Sequence, residues 1–330
     1  MKGILLINLG SPKNLEDNSV KEYLREFLSD DLVVDYPKWI QQILVNWIIV
    51  PNRYKKTQKA YSKIWTEEGS PLINNTIELG RHLAEESSLQ VETAMRYQEP
   101  SIDEGINSLV NKGCTSIQVI PLYPHYAISS TLTTKNKVIE AVKNIDKKVD
   151  VNFVEPFYNK PEYIDSLCSL IKENKKEDSD LLLFSYHGIP IRHLRKASPN
   201  KKHDYQLCEK LECISKEFCY RHQVYETSRL CAEKLNIPQD KWRVTFQSRI
   251  GPGWLKPFTD KELNMLPGKG IKKIDVISPS FVIDNLETLE EINIEGRQDF
   301  LAAGGEKFNY IPCLNTRKDW VTVLSNLSKR

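Results

Sequence analysis

The sequence predicts an α/β protein in which parallel sheets are covered by helices and the chain is arranged as two similar halves. Three observations carry this. Short apolar runs that read as buried strands alternate with amphipathic helical stretches, the order of a sheet built from strand–helix–strand crossovers. A length of 330 residues favours two domains over one. A pattern also repeats. Lys112-Gly113 precedes Ile117, Val119, Ile120 and Pro121, and Lys269-Gly270 precedes Ile274, Val276, Ile277 and Pro279. Each half opens on an apolar run entering a turn, "ILLINLGSP" and then "LLLFSYHGIP". Two elements can match by chance, so the two halves rest first on the alternation.

The elements follow in order. Ile4–Asn8 reads as a strand stopped by Gly10-Ser11-Pro12. Ser116–Leu122, Val149–Val154, Leu181–Ser185 and Lys273–Ile277 read as further strands, and Ile102–Asn111 and Lys135–Asn144 as helices. Lys172–Asp180, "KENKKEDSD", is a polar linker, which puts a domain boundary near Pro161–Lys175. We take residues 1–165 as the first domain and 166–315 as the second.

Composition sets bounds on function. Hydrophobic residues make up 40% and charged residues 27%, as in a soluble globular protein. The net charge of +2 gives no electrostatic footprint for nucleic acid, and no nucleic-acid motif is present. The longest apolar run, Trp39–Val50, is broken by Gln41, Gln42 and Asn46 and falls short of the ~20 residues of a spanning helix. The opening "MKGILLINLG" enters a strand without a signal or transit pattern, and the cysteine count of seven is odd. We therefore expect a cytoplasmic protein with reduced thiols. No Gly-x-Gly-x-x-Gly follows a strand and no P-loop is present, so a nucleotide cofactor is not expected.

Ligands of open parallel sheets bind at the carboxyl ends of strands. His187 stands at such an end. It reads either as a histidine bonded to a neighbouring loop or as a functional imidazole. After the strand Lys273–Ile277, "SPSFVIDNLETLEEINIEG" becomes helical, with Glu287, Glu291 and Glu295 at i, i+4 and i+8 on one face and Asp284 a turn earlier. Like charges so spaced repel by roughly 0.2–0.5 kcal/mol per pair on an exposed helix. The row is either a solvated acidic face or a set of carboxylates that a cation neutralises, and a local π-bulge fits a row of this kind. "AMRYQEPS", "PLYPHYAISSTLTT" and "KIWTEEGSPL" add an arginine, tyrosines and hydroxyls, a lining that suits a flat aromatic anion.

With these stretches together, the chain resembles the ferrochelatases, enzymes that insert ferrous iron into a porphyrin. The matching segments are "GILLINLGSP", "YLREFLSDDLVVD", "KIWTEEGSPL", "MRYQEPSI", "PLYPHYAISST", "LLLFSYHGIP", "TFQSRIGPGWLKPFTD", "DNLETLEEI" and "LAAGGEKFNYIPCLN", in family order from end to end. The resemblance implies two Rossmann-like chelatase domains with a porphyrin cleft between them and a last helix, 316–330, packing back on the first. It places the family's essential histidine at His187 and its essential glutamate at Glu287, both also candidate metal ligands. It assigns porphyrin binding to Arg96, Tyr97, Ser70, Tyr123, Trp254 and Phe281, and an acidic relay to Asp284, Glu291 and Glu295.

The implied substrates are protoporphyrin IX and Fe2+, giving protoheme at the end of heme biosynthesis. Coproporphyrin III is the alternative substrate, and a non-catalytic tetrapyrrole or metal carrier the alternative of another class. Metallation removes two pyrrole protons, which suits an imidazole base; imidazole and carboxylate both ligate ferrous iron. Distorting the macrocycle exposes its nitrogen lone pairs. No cofactor is required for this chemistry.

Three departures from the family pattern stand out. Asn285 occupies a position where some relatives carry a second histidine. The loop "IGPGW" before Trp254 is one residue short. An insertion, His193–Tyr220, holds Cys208, Cys213 and Cys219. Some ferrochelatases place a [2Fe-2S] cluster in this segment, normally on four cysteines. Here Val224 stands where a fourth is expected, and His203 and His222 are the nearest substitute nitrogens. A bound cluster and three free thiols are both open. Trp39, Ile43, Trp47 and Ile48, beside Arg53, Lys55, Lys56 and Lys59, read either as an apolar lip over bound porphyrin or as a peripheral contact with an anionic bilayer, which would be the inner membrane face. A monomer and a homodimer are both compatible with the sequence.

Overall fold

The computed structural model describes residues 1–145, 147–198, 213, 215–249 and 253–329. The described chain divides into two compact units, residues 1–123, 128–155 and 316–330 in one and 124–127 and 156–315 in the other.

The first unit is organised by β1 (Lys2–Asn8), β2 (Gln90–Met95), β3 (Ser116–Pro121) and β4 (Asp150–Phe153), all parallel, in the order β2-β1-β3-β4. A central parallel strand has helices over both faces, so it must be apolar on both. This is why β1 reads as an unbroken apolar run, and Ile4, Leu5, Leu6 and Ile7 have no exposed surface. Leu5 and Ile7 pack with Ile106, Leu109, Ile117, Val119 and Val138. Each such side chain contributes roughly 1.5–3 kcal/mol by its burial. The crossover helix Ile102–Asn111 starts where Ser101 and Glu104 form a reciprocal capping box. The C-terminal helix Lys318–Lys329 buries Trp320, Val321, Leu324 and Leu327 and packs on the helix Pro71–Ser87.

The second unit repeats the plan with β5 (Leu181–His187), β6 (Trp242–Gln247), β7 (Lys273–Ile277) and β8 (Lys307–Tyr310), parallel, in the order β6-β5-β7-β8. Leu181, Leu183, Ile274, Val276, Ile292 and Phe300 form its core. The strand order is that of the first unit advanced by four, so the repeat in the sequence marks a repeat in topology. Its two glycines, Gly113 and Gly270, both adopt φ +83°, a left-handed conformation that favours glycine, in the turns ahead of β3 and β7.

The expected boundary at residues 165/166 is displaced. It would cut the helix Pro161–Asn174, which is continuous and packs its buried face against the helix Tyr220–Lys234. That helix therefore lies wholly in the second unit. Residues 124–127 join it there, because His125 Nε2 hydrogen-bonds Thr227 Oγ1 at 2.9 Å and the Tyr126 N–H donates to Gln223 at 2.7 Å. β5 also extends two residues beyond Ser185, to His187, and β6 and β8 are strands that the sequence pattern did not mark.

Candidate active site at the strand ends of the second unit

In the order β6-β5-β7-β8 the chain leaves β5 towards one side and β7 towards the other. The carboxyl ends of these two strands therefore flank a topological switch point, where parallel sheets bind ligands. His187 is the last residue of β5. Its Nδ1 lies 2.6 Å from the Gly188 carbonyl oxygen. A carbonyl only accepts, so Nδ1 carries the proton and the Nε2 lone pair is left as the basic site. The surrounding protein desolvates the ring and holds its pKa below 6.5, while the Glu291 carboxylate pulls the other way. The Phe281 ring stands edge-on to the imidazole, with centroids 6.2 Å apart. Trp254 lies against Gly188, where an added Cβ would meet the indole at 3.4 Å. Thus His187, Trp254 and Phe281 share one neighbourhood.

The carboxylate row begins beyond β7. Asn285 caps the start, its side-chain oxygen accepting from the Thr288 N–H at 3.1 Å. Glu287–Gly296 is then a π-helix of 10 residues, with Glu287, Glu291 and Glu295 all half-buried along it. The end of β6 holds this segment. Gln247 donates to the Glu287 carbonyl at 2.8 Å, and Ser248 donates to both Glu291 carboxylate oxygens, from its N–H at 2.7 Å and from its hydroxyl. Burial and the charge of Glu287 raise the Glu291 pKa, against the two Ser248 bonds and the His187 charge that lower it. His187 is thus electrostatically linked to Glu291, and Glu291 to Glu287.

Asp284 stands apart from the row. It is buried, and its oxygens accept from Thr288, Tyr310, Asn315 and the Cys313 N–H. These bonds anchor the turn ahead of the row.

The first unit gathers other expected residues at the ends of β2 and β3. Arg96 Nη2 donates to Asp30 Oδ2 at 2.5 Å and Nε to Thr133 Oγ1 at 2.9 Å, and the guanidinium lies 4.4 Å from the Tyr97 ring centroid. The Tyr97 hydroxyl donates to the same Asp30 oxygen at 2.9 Å, and so does Thr133. Tyr97 has no exposed surface, so in this structure it supports Arg96 rather than offering a face to a ligand. Burial pushes the Tyr123 hydroxyl up to about 12. Ser70 is buried and accepts from Ser11 at 2.6 Å, which ties the Gly-Ser-Pro turn to the end of β1.

Asp30, Ser11, Gln247 and Ser248 were not singled out from the sequence. Asp30 and Gln247-Ser248 lie inside the motif stretches "YLREFLSDDLVVD" and "TFQSRIGP", but only the fold shows which partner each reaches.

Among the insertion cysteines, Cys208 lies outside the described residues. Cys213 and Cys219 are buried, and the Cys219 sulfur accepts from the His222 N–H and caps the helix Tyr220–Lys234. Among the described residues no group of three or more histidine, cysteine or acidic side chains forms a metal-holding set. The short loop before Trp254 also falls mostly outside the described residues.

Two comparisons bear on the fold. SirB of Bacillus subtilis, solved with Fe3+, superposes with a TM-score of 0.56 at 12% identity, over 99% of this chain and 94% of that chain. A sirohydrochlorin chelatase SirB from Bacillus subtilis subspecies spizizenii, in complex with cobalt, gives 0.54 at 12% over the same shares. The fold is that of the chelatases. The family is narrower. The ferrochelatase model matches residues 1–330. A ferrochelatase of Pseudomonas fluorescens (strain SBW25) is 40% identical over 99% of this chain and 97% of its own length. One of Coxiella burnetii (strain CbuK_Q154) is 42% identical over 99% and 93%. The chain belongs to the ferrochelatase family, whose members are metal chelatases that insert iron into a porphyrin in heme biosynthesis. Among the described residues no helix is long and apolar enough to cross a membrane.

Proposed function

We propose that the protein inserts Fe2+ into protoporphyrin IX, with His187 as the acceptor of the pyrrole protons and Glu287 and Glu291 as the groups that take those protons onward. The observation that carries this reading is the tautomer of His187. With Nδ1–H committed to Gly188, the ring has one basic nitrogen and is held neutral by burial, ready to accept. The imidazolium formed on accepting a proton is stabilised by the Glu291 charge. Glu291, its own pKa raised, is the natural next carrier. Each turnover releases two protons and leaves a dianionic macrocycle that neutralises the metal, so net charge does not build up in the site. His187 and Glu287 supply imidazole and carboxylate as transient ligands for the iron, which is substrate here.

Trp254 and Phe281, beside His187, are proposed as apolar contacts for the macrocycle. Arg96, Ser70 and Tyr123 are retained as porphyrin-binding groups, with Tyr97 and Asp30 supporting Arg96. No step passes through a cluster.

The reading extends to a bilayer surface. Trp39 is 67% and Trp47 77% exposed, Ile43 and Ile48 are also exposed, and Arg53, Lys55, Lys56 and Lys59 lie exposed on the continuation of the same helix. Exposed tryptophans beside a basic run suit peripheral contact with anionic lipid, the phase into which an apolar porphyrin partitions.

The test is to mix anaerobic protein with protoporphyrin IX and Fe2+ and follow visible absorbance. Metalloporphyrin forming much faster than without protein is the expected result. Tight porphyrin binding with no metallation would make the protein a carrier. Turnover with coproporphyrin III alone would move the substrate while keeping the chemistry.

A further inference from the structure

We propose that Tyr220 and Ser280 are positioning residues that clamp the main chain of His187 and so aim its imidazole; the inference rests on His187 being the proton acceptor. Two side-chain hydrogen bonds hold the main chain of this one residue. The His187 N–H donates to Ser280 Oγ at 3.1 Å, and the Tyr220 hydroxyl donates to the His187 carbonyl at 2.9 Å. Both main-chain polar groups of His187 are therefore held by side chains from other elements.

The clamp matters because of how the imidazole is oriented. Its Nδ1–H bonds the carbonyl of the next residue, not a carboxylate or another side chain. The direction of Nε2 is therefore set by the main chain at 187–188. That segment is pinned on one side by Tyr220 at the His187 carbonyl. On the other it is pinned by the Gly188 N–H, which donates to the Gln247 carbonyl at 2.8 Å, with Leu255 donating to the Ile189 carbonyl at 3.1 Å beyond. Gly188 allows this approach, since a Cβ there would lie 2.8 Å from the same Gln247 oxygen. Tyr220 itself is buried and packed edge-on against His125, with centroids 5.9 Å apart, so its hydroxyl has a fixed place. Without the Tyr220 hydroxyl the peptide after His187 is held only through the Gly188 N–H and can tilt about that bond, and the imidazole tilts with it.

Tyr186 provides a matched control. Its buried hydroxyl bonds Ser228 at 2.8 Å, on the same helix as Tyr220, but it holds neither main-chain group of His187. Tyr220→Phe, Ser280→Ala and Tyr186→Phe would be compared by thermal midpoint and by anaerobic metallation of protoporphyrin with Fe2+. For Tyr220→Phe we expect kcat to fall about tenfold with KM for porphyrin within about twofold, as misaiming a catalytic group does. Its thermal midpoint should fall no further than that of Tyr186→Phe, whose kcat stays within about twofold of the unaltered protein. Equal kcat for Tyr220→Phe and Tyr186→Phe overturns the clamp. If Tyr220→Phe does not fold, Ser280→Ala decides by the same split: a fall confined to kcat supports the clamp and an unchanged kcat overturns it. His187→Ala in the same assay separates the two ideas, because full activity there means that the base is misassigned, not merely its clamp.

Discussion

The two units carry the same four-strand plan, yet the clusters at their strand ends are electrostatic opposites. In the first, the Asp30 carboxylate meets the Arg96 guanidinium and two hydroxyls, so the charges cancel and the donors are used. In the second, a histidine is held neutral beside Glu291, and Glu291 lies within the field of Glu287. Burial of matched charge gives a rigid support, whereas burial of unmatched charge moves pKa values towards the range where protons are exchanged. In the function proposed above, one repeat holds and the other reacts.

The comparison can be broken first at Glu287. Glu287→Gln should lower kcat by about 10²–10⁴-fold and leave the thermal midpoint nearly unchanged, because the amide keeps the shape of the side chain and loses only the carboxylate's ability to carry a proton. Glu291→Gln and Glu295→Gln should give smaller, graded losses. Equal and negligible losses at all three would return the row to a solvated face. Asp30→Asn should behave in the opposite way. It leaves the largely buried Arg96 without its counter-charge, so urea denaturation should show a loss of about 3 kcal/mol. A stable variant whose only defect is in kcat would contradict the holding role.

A pH series sharpens the contrast within the second unit. His125 is fully buried, and desolvation holds its pKa at about 3. Below pH 6.5 the unfolded chain binds a proton there that the folded chain refuses. Stability from this group is therefore complete above the unfolded pKa and is lost as pH falls towards the folded one. Between pH 6.5 and 5 the loss should be about 2 kcal/mol, and His125→Gln should lack it. Glu291, with its pKa raised, contributes in the reverse sense: its stability is complete below the unfolded value of 4.5 and is lost as pH rises through the folded value. An identical urea midpoint profile in His125→Gln would count against the buried neutral histidine. The smallest effect on the fold is expected at the exposed patch. Trp39→Ser with Trp47→Ser should stay within about 0.5 kcal/mol of the original stability and weaken sedimentation with anionic vesicles. Binding that ignores both lipid charge and salt would rule out the bilayer contact.

Much of this was legible in the sequence, for physical reasons that differ along the chain. β1, β5 and β7 are buried on both faces, so their apolar runs announced them. β6 is an edge strand in which Arg243 and Thr245 interrupt the apolar residues, and β8 has four residues, so neither gave a clear signal. The spacing of Glu287, Glu291 and Glu295 placed them on one face, and the expected π-bulge is a full π-helix. The π-turns at Leu44–Ile49 and Ile128–Leu132 had no comparable marker. His187 was visible because a strand stops at it. Its partners Ser280, Tyr220 and Ser248 come from distant parts of the chain, and no local pattern encodes which backbone group a hydroxyl will meet. For the same reason no local pattern tells that Tyr310 and Asn315 bond the Asp284 carboxylate.

The most direct test of the reacting site is His187→Ala, with porphyrin binding followed by fluorescence and metallation by absorbance in the same anaerobic sample. The expected result is porphyrin binding retained and turnover lowered by at least about 10²-fold, the usual loss on removing a general base. Turnover close to that of the unaltered protein would contradict the assignment of His187 as the proton acceptor.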